Sequence, residues 1–99
     1  MGKNKFAEIA TRAVVKYVNE HVDKTDGVQI GEGDVFIVWI CKILQNNKAL
    51  LSTTLPDGMY YEVTYNGDKD ELYFDAYKKF QNLCLGGAEI AELEVKENG

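Results

Sequence analysis

The sequence is short of the residues that most catalytic chemistry needs. It has one histidine, His21, and two cysteines, Cys41 and Cys84, among 99 residues. Ser52, Thr53 and Thr54 have no histidine near them to act as a base, and neither cysteine has the electropositive setting of a reactive thiolate. The cysteines stand far apart with no paired spacing. That excludes a disulfide framework and a zinc signature, and leaves free, mostly buried thiols as the expectation. No apolar run approaches the roughly 18 residues needed to cross a bilayer. The amino terminus carries charges where a secretory signal has its apolar centre, and Phe6 stands where N-myristoylation after Met1-Gly2 wants Ser or Thr. The expectation is a cytoplasmic protein with no membrane partner.

Positive charge is also scarce. Eleven Lys and Arg stand against 16 Asp and Glu, a formal net charge of −5. Binding to nucleic acid through counterion release needs the opposite balance, so a protein or small molecule is the expected partner. The acidic second half, which includes Asp57, Glu62, Asp68, Asp70, Glu71 and Asp75, can also occupy a basic site on another protein.

Apolar and aromatic residues are plentiful, at 45% and 11% of the chain. They suffice for one domain with one core, over residues 1–99. Phe6, Ile9, Ala10, Ala13, Val14, Tyr17, Val18 and His21 recur at three- and four-residue spacing, which predicts an amphipathic helix over about 5–22. His21 falls at its carboxyl end, where its charge suits the helix dipole. Residues 23–33 read as a connector with a short strand at Val28 to Ile30. Gly31-Glu32-Gly33 lacks the later glycine and following helix of a phosphate-binding loop.

Residues 34–80 read as a β-meander. The density of β-branched and aromatic residues from Asp34 to Leu55 predicts two strands, with Asn46-Asn47 as the turn and Gln45 opposite Lys48. Strict alternation then puts Phe36, Val38, Ile40 and Leu44 on a first face with Ala49, Leu51 and Thr53. Pro56-Asp57-Gly58 closes a second hairpin with Leu55 opposite Met59. A third turn sets Tyr65 opposite Leu72, although residues 71 to 84 also fit a helix through Tyr73, Tyr77, Phe80 and Cys84. The fold class expected is α+β: an amino-terminal helix on a four-stranded antiparallel meander, in the cystatin-like order of elements, followed by a carboxyl-terminal segment over 81–99. Topology of that kind carries no function.

One helix covers one face of a sheet. The other face is expected to carry Ile37, Trp39, Ile43, Leu50, Tyr60, Tyr73 and Tyr77, interleaved with Ser52, Thr54, Glu62, Thr64 and Asp75. A solvated face is normally polar at alternate positions, so a cover is expected: the segment Ala88 to Val95, an identical subunit, or a foreign partner. Trp39, Tyr60, Glu62, Tyr73, Asp75 and Tyr77 are the candidate binding residues, since aromatic side chains bury much area for few frozen torsions and keep a polar tip. Glu62 opposite Asp75 also raises a metal-assisted hydrolase as an alternative, with no third ligand at fixed spacing. No cofactor is expected.

The pieces "CKILQNNKAL", "PDGMYYEVTYNGDKDE" and "YFDAYKK" resemble a family of small uncharacterised proteins of phages and prophages of Gram-positive bacteria, a domain of unknown function. The resemblance runs from the helix to about Leu85. It implies a non-enzymatic accessory protein that binds a host or defence component, as an inhibitor or antagonist. The alternative is a small-molecule or nucleotide binder that stacks bases on the aromatic face, across a homodimer.

Overall fold

A computed structural model describes residues 1–21, 29–79, 81 and 83–94. Helix α1 (Lys3–His21) is followed by a short 3₁₀ turn (Glu32–Asp34), strands β1 (Val35–Ile43), β2 (Asn46–Thr53), β3 (Met59–Asn66) and β4 (Glu71–Lys78), and helix α2 (Gly87–Leu93). The strands form one antiparallel sheet in the order β1-β2-β3-β4. This is the expected α+β architecture, with residues 71–78 a strand rather than a helix. The connector's turn formers, Asp23 to Gly27, lie outside the described residues. So does Val28, while Gln29 and Ile30 are not in a strand.

The helix forms because Phe6, Ala10, Val14 and Val18 share one side at a spacing of four, and all four are buried. They pack against Ala49 and Leu51 of β2 and Tyr61 and Val63 of β3, with Ile30 joining from the connector. The Asn19 side chain fixes that return, accepting from the Ile30 N–H at 2.8 Å and donating to the Ile30 carbonyl at 3.0 Å. His21 closes the helix. Its Nδ1–H donates to the Tyr17 carbonyl at 2.8 Å and its ring stacks on Tyr17 at 4.0 Å. Tyr17 in turn meets the rings of Tyr61 and Phe74.

The three hairpins meet expectation to different degrees. Between β3 and β4 the register is the expected one, with Tyr65 opposite Leu72 and Tyr60 opposite Tyr77. Asn66 Oδ1 organises that turn by accepting the N–H groups of Asp68 and Lys69, and Asp70 takes a φ of 52°. Between β2 and β3 the pairing is Leu51 with Tyr61, not Thr53 with Tyr61, so Leu55 and Met59 are loop and strand end rather than a pair. The loop is longer than expected because Asp57 Oδ1 takes the Met59 N–H and Thr53 Oγ1 takes the Leu55 N–H. Gly58 has the positive φ the turn requires, 68°. The slip is an even number of residues, so the faces are unchanged.

Between β1 and β2 the expected turn is wrong. Ile43 pairs with Asn46, the loop is Leu44-Gln45, and Leu44 takes the positive φ, 55°. Asn47 lies inside β2, 1% exposed, and Asn46 uses its Oδ1 to accept the Gly67 N–H of the third turn. A bulge at Val38 then breaks strict alternation: Ile37 pairs with Leu51 and Trp39 with Leu50, leaving Val38 as the extra residue. Phe36, opposite Ser52, is thereby moved off the helix-covered side, while Ile37 is moved onto it. Ile40 keeps its expected face, although its partner is Ala49 and not Thr53.

The helix reaches the middle of the sheet and not its margins. Leu72 and Ala76, on the helix side of β4, remain exposed, as does Ile37 at the other edge. Helix α2 covers nothing: every residue from Gly87 to Leu93 is exposed, including Ile90 and Leu93, so this helix is not the cover of the second face, and Val95 lies outside the described residues. Cys41 and Cys84 are free, as expected, but exposed rather than buried.

Candidate interaction surface

The pairings arrange the face away from α1 in transverse rows. Phe36, Ser52, Tyr60 and Tyr77 form one. Trp39, Leu50, Glu62 and Asp75 form the next, and Cys41, Lys48, Thr64 and Tyr73 the third. All six candidate residues therefore share one face. It divides lengthwise: the β1 side is apolar, with Phe36, Val38, Trp39 and Ile43 exposed, and the β4 side is aromatic and acidic, with Tyr73 and Tyr77 about half exposed. Tyr60 and Glu62, on an inner strand, are only partly exposed.

Phe36 and Val38 were missed as members of this face. The one signal for it is that "VFIVWI" has no polar residue on either side of the alternation, so no side of β1 is marked for solvent.

Lys48 was also missed, because the expected turn placed it at a hairpin tip. It lies beside Glu62, Nζ to Oε1 3.0 Å. The hydrogen bond to Glu62, then its charge, raise the Lys48 ammonium above the ordinary lysine pKa. Glu62 does stand opposite Asp75. The flanking cation of the pair is this lysine, and among the described residues no cluster of three or more His, Cys, Asp and Glu exists to hold a metal ion. His21 is on the helix side of the sheet. Tyr73 donates its hydroxyl to the Glu71 carboxylate, which raises the Tyr73 pKa.

At the Leu44-Gln45 end of this face a cleft of about 230 Å³ is lined by Cys41, Ile43, Asn46, Asn47, Lys48 and Thr64. None of the tyrosines lines it, and it is smaller than the roughly 300 Å³ at which drug-sized ligand pockets begin. The chemistry available across the face is contact: apolar area, phenol hydroxyls and a small excess of carboxylate over ammonium.

Fold and surface together define a helix-on-sheet domain with one covered and one open face. The chain belongs to the family of unknown function DUF6275, whose model matches residues 7–86. No curated protein and no solved structure matches it. None of the described helices is long and apolar enough to cross a membrane.

Proposed function

We propose that this chain is a non-enzymatic binding protein that seats a protein partner on the open face of its sheet. The observation that carries the reading is the exposure of Trp39, Tyr73 and Tyr77 beside Phe36 and Val38, on the face that neither α1 nor α2 covers. Apolar patches of this kind, rimmed by polar groups, mark interaction sites. Glu62, Asp75 and Glu71 outnumber Lys48 on the face, so the partner it fits offers an apolar or aromatic surface flanked by Lys or Arg.

The family resemblance supports a phage or prophage of a Gram-positive bacterium as the source, and a host or defence component in the bacterial cytoplasm as the partner. The protein then acts as an inhibitor or antagonist by occupancy, with no bond made or broken.

The test is capture from a host lysate by wild type and by the double variant Tyr73→Ala, Tyr77→Ala. Both side chains are about half exposed, so the thermal midpoint is expected to move little while the captured partner is lost and its binding to wild type weakens with salt. Equal capture by both proteins overturns the reading. A collapse of the midpoint assigns the tyrosines to the fold instead.

A further inference from the structure

We infer that Asn66 is a site of spontaneous covalent modification, deamidation to aspartate or isoaspartate, and that the side chain of Asn46 restrains it. The inference rests on the turn between β3 and β4 and not on the reading of the β4 tyrosines.

Asn66 is followed in the chain by Gly67. The backbone nitrogen that follows an asparagine can attack its side-chain amide, and a glycine there leaves that nitrogen unhindered and its backbone free to rotate. In this step the Gly67 nitrogen gives up its proton and bonds to Asn66 Cγ. The Cγ–Nδ2 bond breaks, and the amide nitrogen leaves as ammonia with a proton taken from solvent. Water then adds to the cyclic imide and reopens it at either carbonyl. Opening at Cγ restores the main chain and leaves an aspartate. Opening at the main-chain carbonyl leaves the chain running through Cγ, an isoaspartate with one methylene more in the backbone.

The fold holds both reactants. Gly67 N–H donates to Asn46 Oδ1 at 3.3 Å, so loss of its proton and approach of the nitrogen to Cγ both require that bond to open. Asn66 Oδ1 accepts the N–H groups of Asp68 and Lys69 at 3.1 and 3.3 Å, which ties the amide to its own turn. Asn46 differs from those partners in belonging to β2, where it stands opposite Ile43 and Asn66. Reaction at the third turn therefore waits on movement at the first. A bonded amide reacts through local opening, as it does in hydrogen exchange.

The same fold needs the two residues that make the bond labile. A Cβ on Gly67 would stand 2.2 Å from the Gln45 carbonyl oxygen, and Asn66 supplies the acceptor for two N–H groups of the turn. Either product disturbs the sheet. An aspartate sets a second carboxylate opposite Glu71, the residue paired with Asn66 across β3 and β4, and like charges directly opposite are destabilising. An isoaspartate lengthens the chain at the turn that sets Tyr65 opposite Leu72.

The chain holds a second Asn-Gly pair, Asn98-Gly99, so the test reads a peptide map rather than the whole mass. Wild type, Asn46→Ala and Asn46→Asp are incubated in mildly alkaline buffer beside the synthetic peptide Tyr-Asn-Gly-Asp-Lys. Peptic fragments containing Asn66 are then scored for aspartate and isoaspartate. Wild type should convert more slowly than the peptide. Asn46→Ala should convert roughly three- to tenfold faster than wild type, the factor that the net contribution of one hydrogen bond is worth. Asn46→Asp, whose carboxylate still accepts the Gly67 N–H, should stay near the wild-type rate. Hydrogen exchange at the Gly67 amide should rise in Asn46→Ala by the same factor as the conversion, while the amides of β2 and β3 away from the turn keep their protection. Wild-type conversion as fast as that of the peptide, or an Asn46→Ala rate equal to wild type, overturns the inference. Should Asn46→Ala lose its far-ultraviolet spectrum, the comparison of wild type with the peptide still decides.

Discussion

Asn47 is 1% exposed, and neither its amide nitrogen nor its carbonyl oxygen has a partner among the described residues. Burying an amide without hydrogen bonds costs free energy that an apolar side chain of similar volume avoids, so Asn47→Leu is expected to raise stability by about 1–2 kcal/mol in chemical denaturation. A loss would mean that a partner satisfies the amide. Gly67 gives the opposite case. A Cβ there would stand 2.2 Å from the Gln45 carbonyl oxygen and 3.0 Å from its carbon, both backbone atoms. Gly67→Ala should therefore cost about 1–3 kcal/mol, as overpacking does, while Gly33→Ala, with open space around it, should stay within about 0.5 kcal/mol of wild type.

Four titrating side chains also act together. Burial raises the Tyr61 pKa, a hydrogen bond to Asp70 raises that of Tyr65, one to Glu71 raises that of Tyr73, and Glu62 raises that of Lys48. Each folded-state value lies above its unfolded one. Their contributions are thus present in full below about pH 10, the unfolded values, and are lost as the pH rises through the folded ones. Thermal melts should show a midpoint insensitive to these groups near neutrality that falls above about pH 10. Tyr61→Phe should make that fall shallower. At this scale the sequence reading went furthest with the tyrosines: Tyr61 and Tyr65 to the helix side, Tyr60, Tyr73 and Tyr77 away from it, all as found. Glu62 opposite Asp75 was legible too. Lys48 was not, because its neighbour across β2 and β3 depends on a register set by the turns.

Elements reveal why that register was harder to read. Side-chain alternation survives any even slip, so the faces of β2, β3 and β4 were legible while two of three pairings were not. Asn46-Asn47 carries the composition of a turn, yet the chain turns two residues earlier, through an exposed leucine in the left-handed region. Leu44 is 86% exposed with φ 55°. That conformation costs a residue with a Cβ about 1 kcal/mol, and Leu44 buries little to offset it, so Leu44→Gly is expected to stabilise the protein by about that amount. Equal or lower stability on denaturant titration would show that the leucine side chain packs in solution. The bulge at Val38 had no turn former or charge to announce it. Its only trace was a strand without polar positions, which alternation alone cannot assign to a face. The salt bridge from Arg12 to Glu32, with both side chains exposed, adds little to holding α1 against the 3₁₀ turn.

The whole molecule follows from two facts: one amphipathic helix, and a sheet wider than that helix can cover. Both were readable, the first from a four-residue stripe and the second from the count of strands. What occupies the remaining surface was not, because tyrosine, tryptophan and β-branched residues serve sheet pairing and docking alike, and only exposure in the fold separates the two uses. The account's central claim is that the β4 half of the open face is covered when the protein works. Hydroxyl-radical footprinting in the host lysate against the purified protein measures this directly. Tyr73 and Tyr77 should be labelled in the purified protein and protected in the lysate, with buried Tyr61 unlabelled in both. Equal labelling of Tyr73 and Tyr77 in the two conditions would contradict the account.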